Sequence, residues 1–453
     1  QIMKMTGADV IVEILLENGA DTIFGYPGGA AMNIYDSIYK NSDRIKHVLT
    51  AHEQGATHAA DGYARTTGKP GVVLATSGPG ATNLVTGIAT AYMDSIPMVC
   101  ITANVGANLI GRDSFQEICI TGVTFPITKH NYFVNRVEDL ADAVRNAFRI
   151  ANEGRKGPVL IDVTKDVTAA LVDFEPAKPL PVKKVRTQDL EEKAKEFASY
   201  INEAEKPIVF LGGGTVASGC SKEIKELIET ADIPVVHSMM AAGVVPRADK
   251  RCFGMLGMHG SYAANKAVNS SDLLIAIGTR FSDRVALNPK KFAPKAKIIQ
   301  IDIDRSEINK NVLVDYSITG DCKDVLKAVL PEVKKAKHSE WLKDITEWDE
   351  KHPLKVAGYA RKMNPQQVIE HVCDQMNDDA IYVTDVGQHQ MWASQYINLG
   401  VDSQMIMSGG LGTMGFGFPA AIGAKIGARD KDVVCITGDG GMQMNMQEMA
   451  TSI

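Results

Sequence analysis

The sequence predicts an α/β protein of three doubly wound parallel-sheet domains, the third of them incomplete. Three observations carry that prediction. Short continuous apolar runs alternate with helix-patterned stretches along the whole chain, most of those runs end on Gly or Asp, and two polar stretches interrupt the alternation. Strands that are apolar on both faces belong to parallel sheets covered by helices, where ligands sit beyond the carboxyl ends of the strands. The Gly and Asp residues lie where that rule places a site.

The first block, residues 1–172, supplies the runs "TIFGYPGG", "HVLTAHEQ", "GVVLATSGPG", "PMVCITAN" and "PVLIDVTKD". The stretch "VDFEPAKPLPVKKVRT", rich in Pro and Lys and without an apolar period, reads as a linker. A second block, 189–345, carries "PIVFLGGGT", "DLLIAIGTRF" and "KIIQIDID"; "EWDEKHPLKVAGYARKMNP" reads as the next linker. The third block, 364–453, holds "AIYVTDVG" and "VVCITGDGG". It is shorter than the roughly 150 residues such a domain usually needs, so it reads as unfinished.

Composition narrows the function classes. Apolar residues make up 45% and charged residues 23%, as in ordinary globular proteins. A net charge of -6 argues against a nucleic-acid partner, which needs a basic surface. The seven cysteines are scattered singletons, neither a disulfide framework nor a metal-type pair. No apolar run approaches membrane-spanning length and the start lacks a signal-peptide layout, so the expectation is a cytoplasmic protein without a membrane partner; a removed organelle transit peptide stays open.

Several turns carry candidate chemistry. Gly28 and Gly29 follow a strand and let backbone and ligand approach closely. Glu53 opens a helix among small neighbours that would desolvate a carboxyl group; by itself that is weak evidence, since a Glu in a first helical turn is more often a dipole-stabilised surface residue. Gly212, Gly213 and Gly214 lie between a strand and a helix, as in dinucleotide sites, though such a run is weak by itself. Gly387, Gln388 and His389 follow the strand "AIYVTDVG", and Gly438-Asp439-Gly440-Gly441 follows another, suited to a diphosphate and its metal ion.

Taken together, "YPGGA", "AHEQGATHAADGYAR", "TSGPGATN", "AYMDSIP" and "GRDSFQE" occur in the order found in the acetohydroxyacid synthase group of thiamine-diphosphate enzymes, which the chain resembles over essentially its whole length. The resemblance implies that Glu53 hydrogen-bonds a pyrimidine nitrogen of thiamine diphosphate, which explains the need for a carboxyl group that holds or donates a proton. It implies cofactor contacts at Tyr26, Pro27, Gly28, Gly29, Gly387, Gln388, His389, Met414, Gly438, Gly440 and Gly441, with Asp439 as a Mg2+ ligand. Phe115 and Gln116 would line the reaction pocket and Lys165 its entrance. Thr164 stands where the family reads Pro, and Ala103-Asn104 where Gly-Gln is usual. The family's second metal side chain, an Asn further on, lies beyond Ile453, and Asn445 is too close to serve.

The second block also resembles the family's FAD site. The match implies contacts at Arg155, Gly212, Gly213, Gly214, Leu256, Gly257, Met258, His259, Gly278, Thr279, Arg280, Asp302, Ile303, Gly320 and Asp321. Arg284 would take the carboxylate of the second 2-keto acid, its planar fork matching that group, with Met258 beside the substrate. The activity so implied is that of a catalytic subunit: pyruvate is decarboxylated and the hydroxyethyl unit passes to a second pyruvate or to 2-ketobutyrate, the first common step of branched-chain amino-acid biosynthesis. The alternatives are a flavin-dependent pyruvate oxidase, another 2-keto-acid carboligase, or a catalytically silent FAD-binding fragment. Family analogy adds a homodimer or homotetramer and a separate regulatory subunit.

Overall fold

A computed structural model describes residues 2–354, 363–400 and 402–453. Residues 355–362 of the second linker lie outside the described residues. The strands are β1 (Met3–Thr6), β2 (Thr22–Gly25), β3 (Lys46–Leu49), β4 (Gly71–Ala75), β5 (Met98–Asn104), β6 (His130–Val134), β7 (Pro158–Thr164), β8 (Leu171–Phe174), β9 (Pro207–Leu211), β10 (Val235–His237), β11 (Cys252–Met255), β12 (Leu273–Ile277), β13 (Lys297–Asp302), β14 (Tyr316–Thr319), β15 (Ile381–Thr384), β16 (Gln404–Ile406) and β17 (Val433–Ile436). They form six-stranded sheets β3-β2-β4-β5-β7-β6 and β11-β10-β9-β12-β13-β14, a three-stranded sheet β16-β15-β17, and the small pair β1-β8. Every described pairing in the two large sheets is parallel.

The continuous apolar runs become buried strands because each sheet has two cores. Along β4 and β5, Val72, Leu74, Val99 and Ile101 point into one cluster with Ile11, Val144 and Phe148. Their neighbours Val73, Ala75, Met98 and Cys100 point the other way, onto Ala56, Ala60 and Ile88. The second sheet repeats this: Val209, Leu211, Ile275 and Ile277 face one side, and Ile208, Phe210, Leu274 and Ala276 the other. Period-two alternation thus feeds two cores, which no amphipathic strand could do.

Compact packing defines two units: residues through Lys183 with Val383–Gly387 and Ile406–Ile453, and Lys184–Tyr382 with Gln388–Met405. The first unit therefore combines the whole of the first block with much of the third. Its seam is the helix Glu53–Thr67 against the helix Gly417–Gly427. A Cβ at Gly62 would collide with the Ala420 carbonyl, and one at Gly423 with the Ala59 carbonyl, so bare backbone meets bare backbone. Beside the seam Arg65 pairs with Asp61 at 2.6 Å and Asp94 at 3.0 Å and lies over the Phe416 ring. Asp94 also accepts from the N–H groups of Gly409 and Gly410. Among the described residues no helix is long and apolar enough to cross a membrane.

Candidate active site

In the first large sheet the order reverses between β2 and β4, which opens a crevice at their carboxyl ends. Gly28, just after β2, lies against Thr76, just after β4; a Cβ at Gly28 would strike the Thr76 side chain. Gly80 also abuts Thr76, and a Cβ there would stand 3.3 Å from Glu53 Oε1. Glu53 itself is half-buried at the start of its helix, with Asn83 Nδ2 donating to Oε2 at 3.0 Å. Thr76 Oγ1 is buried with no hydrogen-bond partner among the described residues. Gly78, at φ +60°, packs on Gln116, so the pocket residue expected from "SFQE" does reach the glycine turn. Burial and the nearby Glu53 carboxylate push the Tyr35 phenol up, and Tyr35 in turn meets His47 Nε2 at 3.2 Å.

Around this crevice the remaining expected groups are open. Tyr26, Pro27 and Gly29 are exposed, and Phe115 is 88% exposed. Lys165 is exposed at the first position of the helix Lys165–Ala169, after β7. The departures from the family pattern are interior. Thr164 is buried at the end of β7, and Asn104, ending β5, donates from Nδ2 to Asp162 Oδ2 at 2.7 Å. Thr102 donates to the other oxygen of Asp162 at 2.8 Å, and burial pushes that carboxyl up to about 6 against these two bonds.

The glycine-rich turns of the third block meet on one carboxylate that the sequence reading did not single out. Asp385 is fully buried and accepts from the N–H groups of Val386 at 2.8 Å, Gly415 at 3.0 Å and Gly417 at 2.8 Å. Gly441 abuts the same carboxylate, leaving no room for a side chain. Asn445 is buried too, and its Nδ2 donates to the Gly415 carbonyl at 2.7 Å. Gly415 is thus held from both sides, which fixes the adjoining Met414. Met414 is 40% exposed, and its methyl lies 3.1 Å from where a Cβ of Gly440 would be. Gly438 caps the short helix Asp439–Met444, whose first residue, Asp439, is exposed. Gly387 has φ +151° and is exposed, as is Gln388, while His389 is half-buried. Among the described residues no three or more His, Cys, Asp or Glu cluster as a metal site.

In the second unit the order reverses between β9 and β12. Gly212, Gly213 and Gly214 follow β9; Gly278, Thr279 and Arg280 follow β12. The Gly214 N–H donates to the Gly278 carbonyl at 2.9 Å, and neither Gly212 nor Gly214 could carry a Cβ beside Gly278. Gln300 Nε2 donates to the Thr279 carbonyl, while its buried Oε1 has no hydrogen-bond partner among the described residues. Asp302 is buried at the end of β13 and Ile303 follows, half-buried. Leu256 and Gly257 are buried after β11, Gly257 at φ +106° against Arg284, with Met258 exposed and His259 half-buried. Gly320 follows β14; Asp321 caps the helix Cys322–Val329 and also accepts from Ser218 Oγ. These segments therefore all lie at or just after the carboxyl ends of strands of one sheet. Arg284 is exposed, 4.0 Å from Asp283. Arg155 belongs to the first unit, where its Nε donates to Ser95 Oγ at 2.8 Å.

The chain matches known proteins along its length. Residues 5–123 match the N-terminal TPP binding domain of thiamine pyrophosphate enzymes, 194–329 their central domain, and 385–453 their C-terminal TPP binding domain. It is 47% identical over 459 residues to an acetolactate synthase large subunit of Corynebacterium glutamicum, covering 99% of this chain and 73% of the relative. It is 41% identical over 466 residues to the acetolactate synthase isozyme 3 large subunit of Escherichia coli, with 99% and 80% covered. A large subunit from Haemophilus influenzae is 43% identical over 459 residues, with the same coverage. The chain is accordingly that of a thiamine-pyrophosphate enzyme. Within that class the chain belongs to the acetolactate synthase large-subunit family.

Proposed function

We propose that this chain catalyses acetolactate formation as a large subunit does: pyruvate loses CO2, and the remaining two-carbon unit joins a second pyruvate or 2-ketobutyrate. The match to acetolactate synthase large subunits over 99% of the chain carries the reading. Thiamine diphosphate, when bound, supplies the electron sink for the decarboxylated unit. The crevice suits it: Gly28 and Gly80 bring bare backbone against Thr76, whose buried hydroxyl lacks a partner among the described residues, and Glu53 Oε1 lies beside Gly80. Asn83 orients the Glu53 carboxyl group, so that Glu53 can hold or give up a proton at a ring nitrogen.

The turn Gly438, Asp439, Gly440 and Gly441 would meet the diphosphate, with Gly387, Gln388 and His389 on a neighbouring turn. Asp439 would give Mg2+ a carboxylate oxygen, the kind of hard ligand that cation prefers. Met414, held firmly from its own backbone, would set the cofactor's bend. Phe115 and Gln116 would line the pocket and Lys165 its entrance. Arg284 would bind the carboxylate of the acceptor acid, beside Met258. FAD fits the second unit, where closely packed glycine backbone, Gln300 Oε1, without a hydrogen-bond partner among the described residues, and Asp302 lie at the carboxyl ends of β9, β12 and β13. Arg155 keeps the FAD role that the family resemblance implies. The domain limits are read as 1–172, 189–345 and 364–453. The names of the relatives imply a smaller companion subunit for them, and we extend that partner, a homo-oligomeric state and a cytoplasmic site of action to this chain.

The test is an assay with pyruvate, thiamine diphosphate, Mg2+ and no electron acceptor. Acetolactate release supports the reading. Pyruvate-dependent flavin reduction without acetolactate overturns it in favour of an oxidase, and neither product overturns it in favour of a silent FAD-binding chain.

A further inference from the structure

Glu448 has no part in the chemistry assigned above, yet it is 0% exposed. Its Oε2 accepts from the Ala51 N–H at 3.1 Å and its Oε1 from the His52 N–H at 3.0 Å. Thr451 Oγ1 donates to Oε2 at 2.6 Å. The two amides lie immediately before the helix Glu53–Thr67, of which His52 is the N-cap. Gly55, in the first turn of that helix, lies so close to the carboxylate that a Cβ would collide with it.

A carboxylate at a helix N-terminus is favoured by the dipole and by charge-assisted bonds to amide groups. Here a local cap is already present, since His52 Nδ1 accepts from the Gln54 N–H at 3.0 Å. The second acceptor comes from 396 and 397 positions away, on the turn Met446–Ser452 that follows the Asp439 helix. Holding both amides fixes the peptide planes on either side of Ala51. Those planes set the direction in which the helix presents its first side chain, Glu53.

We propose that Glu448 is a positioning residue for Glu53, tying the turn behind Asp439 to the aim of the Glu53 carboxyl group. The inference rests on the reading of Glu53 as the group that meets the cofactor's pyrimidine. It is tested with Glu448→Gln, Gly55→Ala and Glu53→Gln in the protein reconstituted with thiamine diphosphate and Mg2+. Two quantities are followed: amide hydrogen exchange at Ala51 and His52, and deuterium exchange at the thiazolium C2 of the bound cofactor, read by quench NMR.

Both Glu448→Gln and Gly55→Ala are expected to speed amide exchange at Ala51 and His52. Both should slow C2 exchange on the order of ten- to a hundredfold at saturating cofactor, the usual consequence of ångström-scale misplacement, while cofactor affinity changes far less. Gly55→Ala keeps the charge and only displaces the carboxylate, so it reports even where Glu448→Gln does not fold. Faster amide exchange with C2 exchange at the parental rate, against a slowed Glu53→Gln, makes Glu448 a mere staple and overturns the proposal. Parental C2 exchange in Glu53→Gln overturns the reading of Glu53, and the proposal with it.

Discussion

Replacing Asp385 with Ala tests whether one carboxylate assembles the glycine turns of the third block. The variant strips the acceptor from three N–H groups, those of Val386, Gly415 and Gly417, in a place the solvent does not reach. A buried donor left without a partner costs about 1–3 kcal/mol. Three of them, partly relieved by water entering the space beside Gly441, come to roughly 3–6 kcal/mol. Asp385→Asn keeps the shape and one acceptor oxygen but turns an amide NH2 toward a backbone N–H, so it should cost about half as much. Urea denaturation followed by circular dichroism measures the loss, and titration with thiamine diphosphate measures binding. Both variants should weaken cofactor binding, because the Gly415 and Gly441 turns lose their shared anchor. If Asp385→Ala stays within about 1 kcal/mol of the parent, these bonds are dispensable and the reasoning fails.

Further outcomes follow from other residues. Asp162 titrates near 6 in the folded chain against an ordinary 3.8, so the folded state holds its proton more tightly. Its contribution favours folding at low pH and is lost as pH rises from about 4 to about 6. Denaturation across that range should show the parent losing up to about 3 kcal/mol relative to Asp162→Asn, a shift of roughly two pH units at 1.36 kcal/mol each; parallel profiles would contradict it. Arg65→Ala leaves Asp61 and Asp94 buried without their cation and should destabilise by about 3–5 kcal/mol in the same assay. Arg65→Lys should rescue little, since one ammonium cannot replace a fork that spans two carboxylates and lies over Phe416. Glu53→Gln should cut acetolactate formation by about 10²–10⁴-fold with stability changed by less than about 1 kcal/mol, because Asn83 is the one hydrogen-bond partner of its carboxylate among the described residues.

The strands and the side of each sheet that carries the site were legible because doubly buried strands leave a strong local trace. "GVVLATSGPG" and "DLLIAIGTRF" announce strand, stop and glycine turn within ten residues. The glycine turns at Gly28, Gly78 and Gly80 lie against Thr76, Gln116 and Glu53. Asp385 was passed over because a single Asp after a strand looks like any solvated turn residue; only its three amide partners reveal its role. Asn83 and Thr76 both lie inside the motif "TSGPGATN", but nothing local marks one as the partner of Glu53 and the other as its buried neighbour. Glu448 was out of reach altogether, since its meaning depends on a contact across nearly the whole chain. The grouping of the first and third blocks was hidden for a related reason. Gly62 and Gly423 read as ordinary small helix residues until the helices are brought together.

That glycine seam also limits how the crevice can open. Two helices meeting through side chains can slide by a rotamer change, because flexible atoms yield first. Here carbonyl oxygens of Ala59 and Ala420 sit where Cβ atoms would otherwise be, so a small axial slip would press the neighbouring alanines into rigid peptide groups. The helix that starts at Glu53 and the helix that follows Met414 must therefore travel as one piece. Any breathing of the crevice is left to the loops, and the distance between the Glu53 carboxyl group and Met414 is set by backbone geometry.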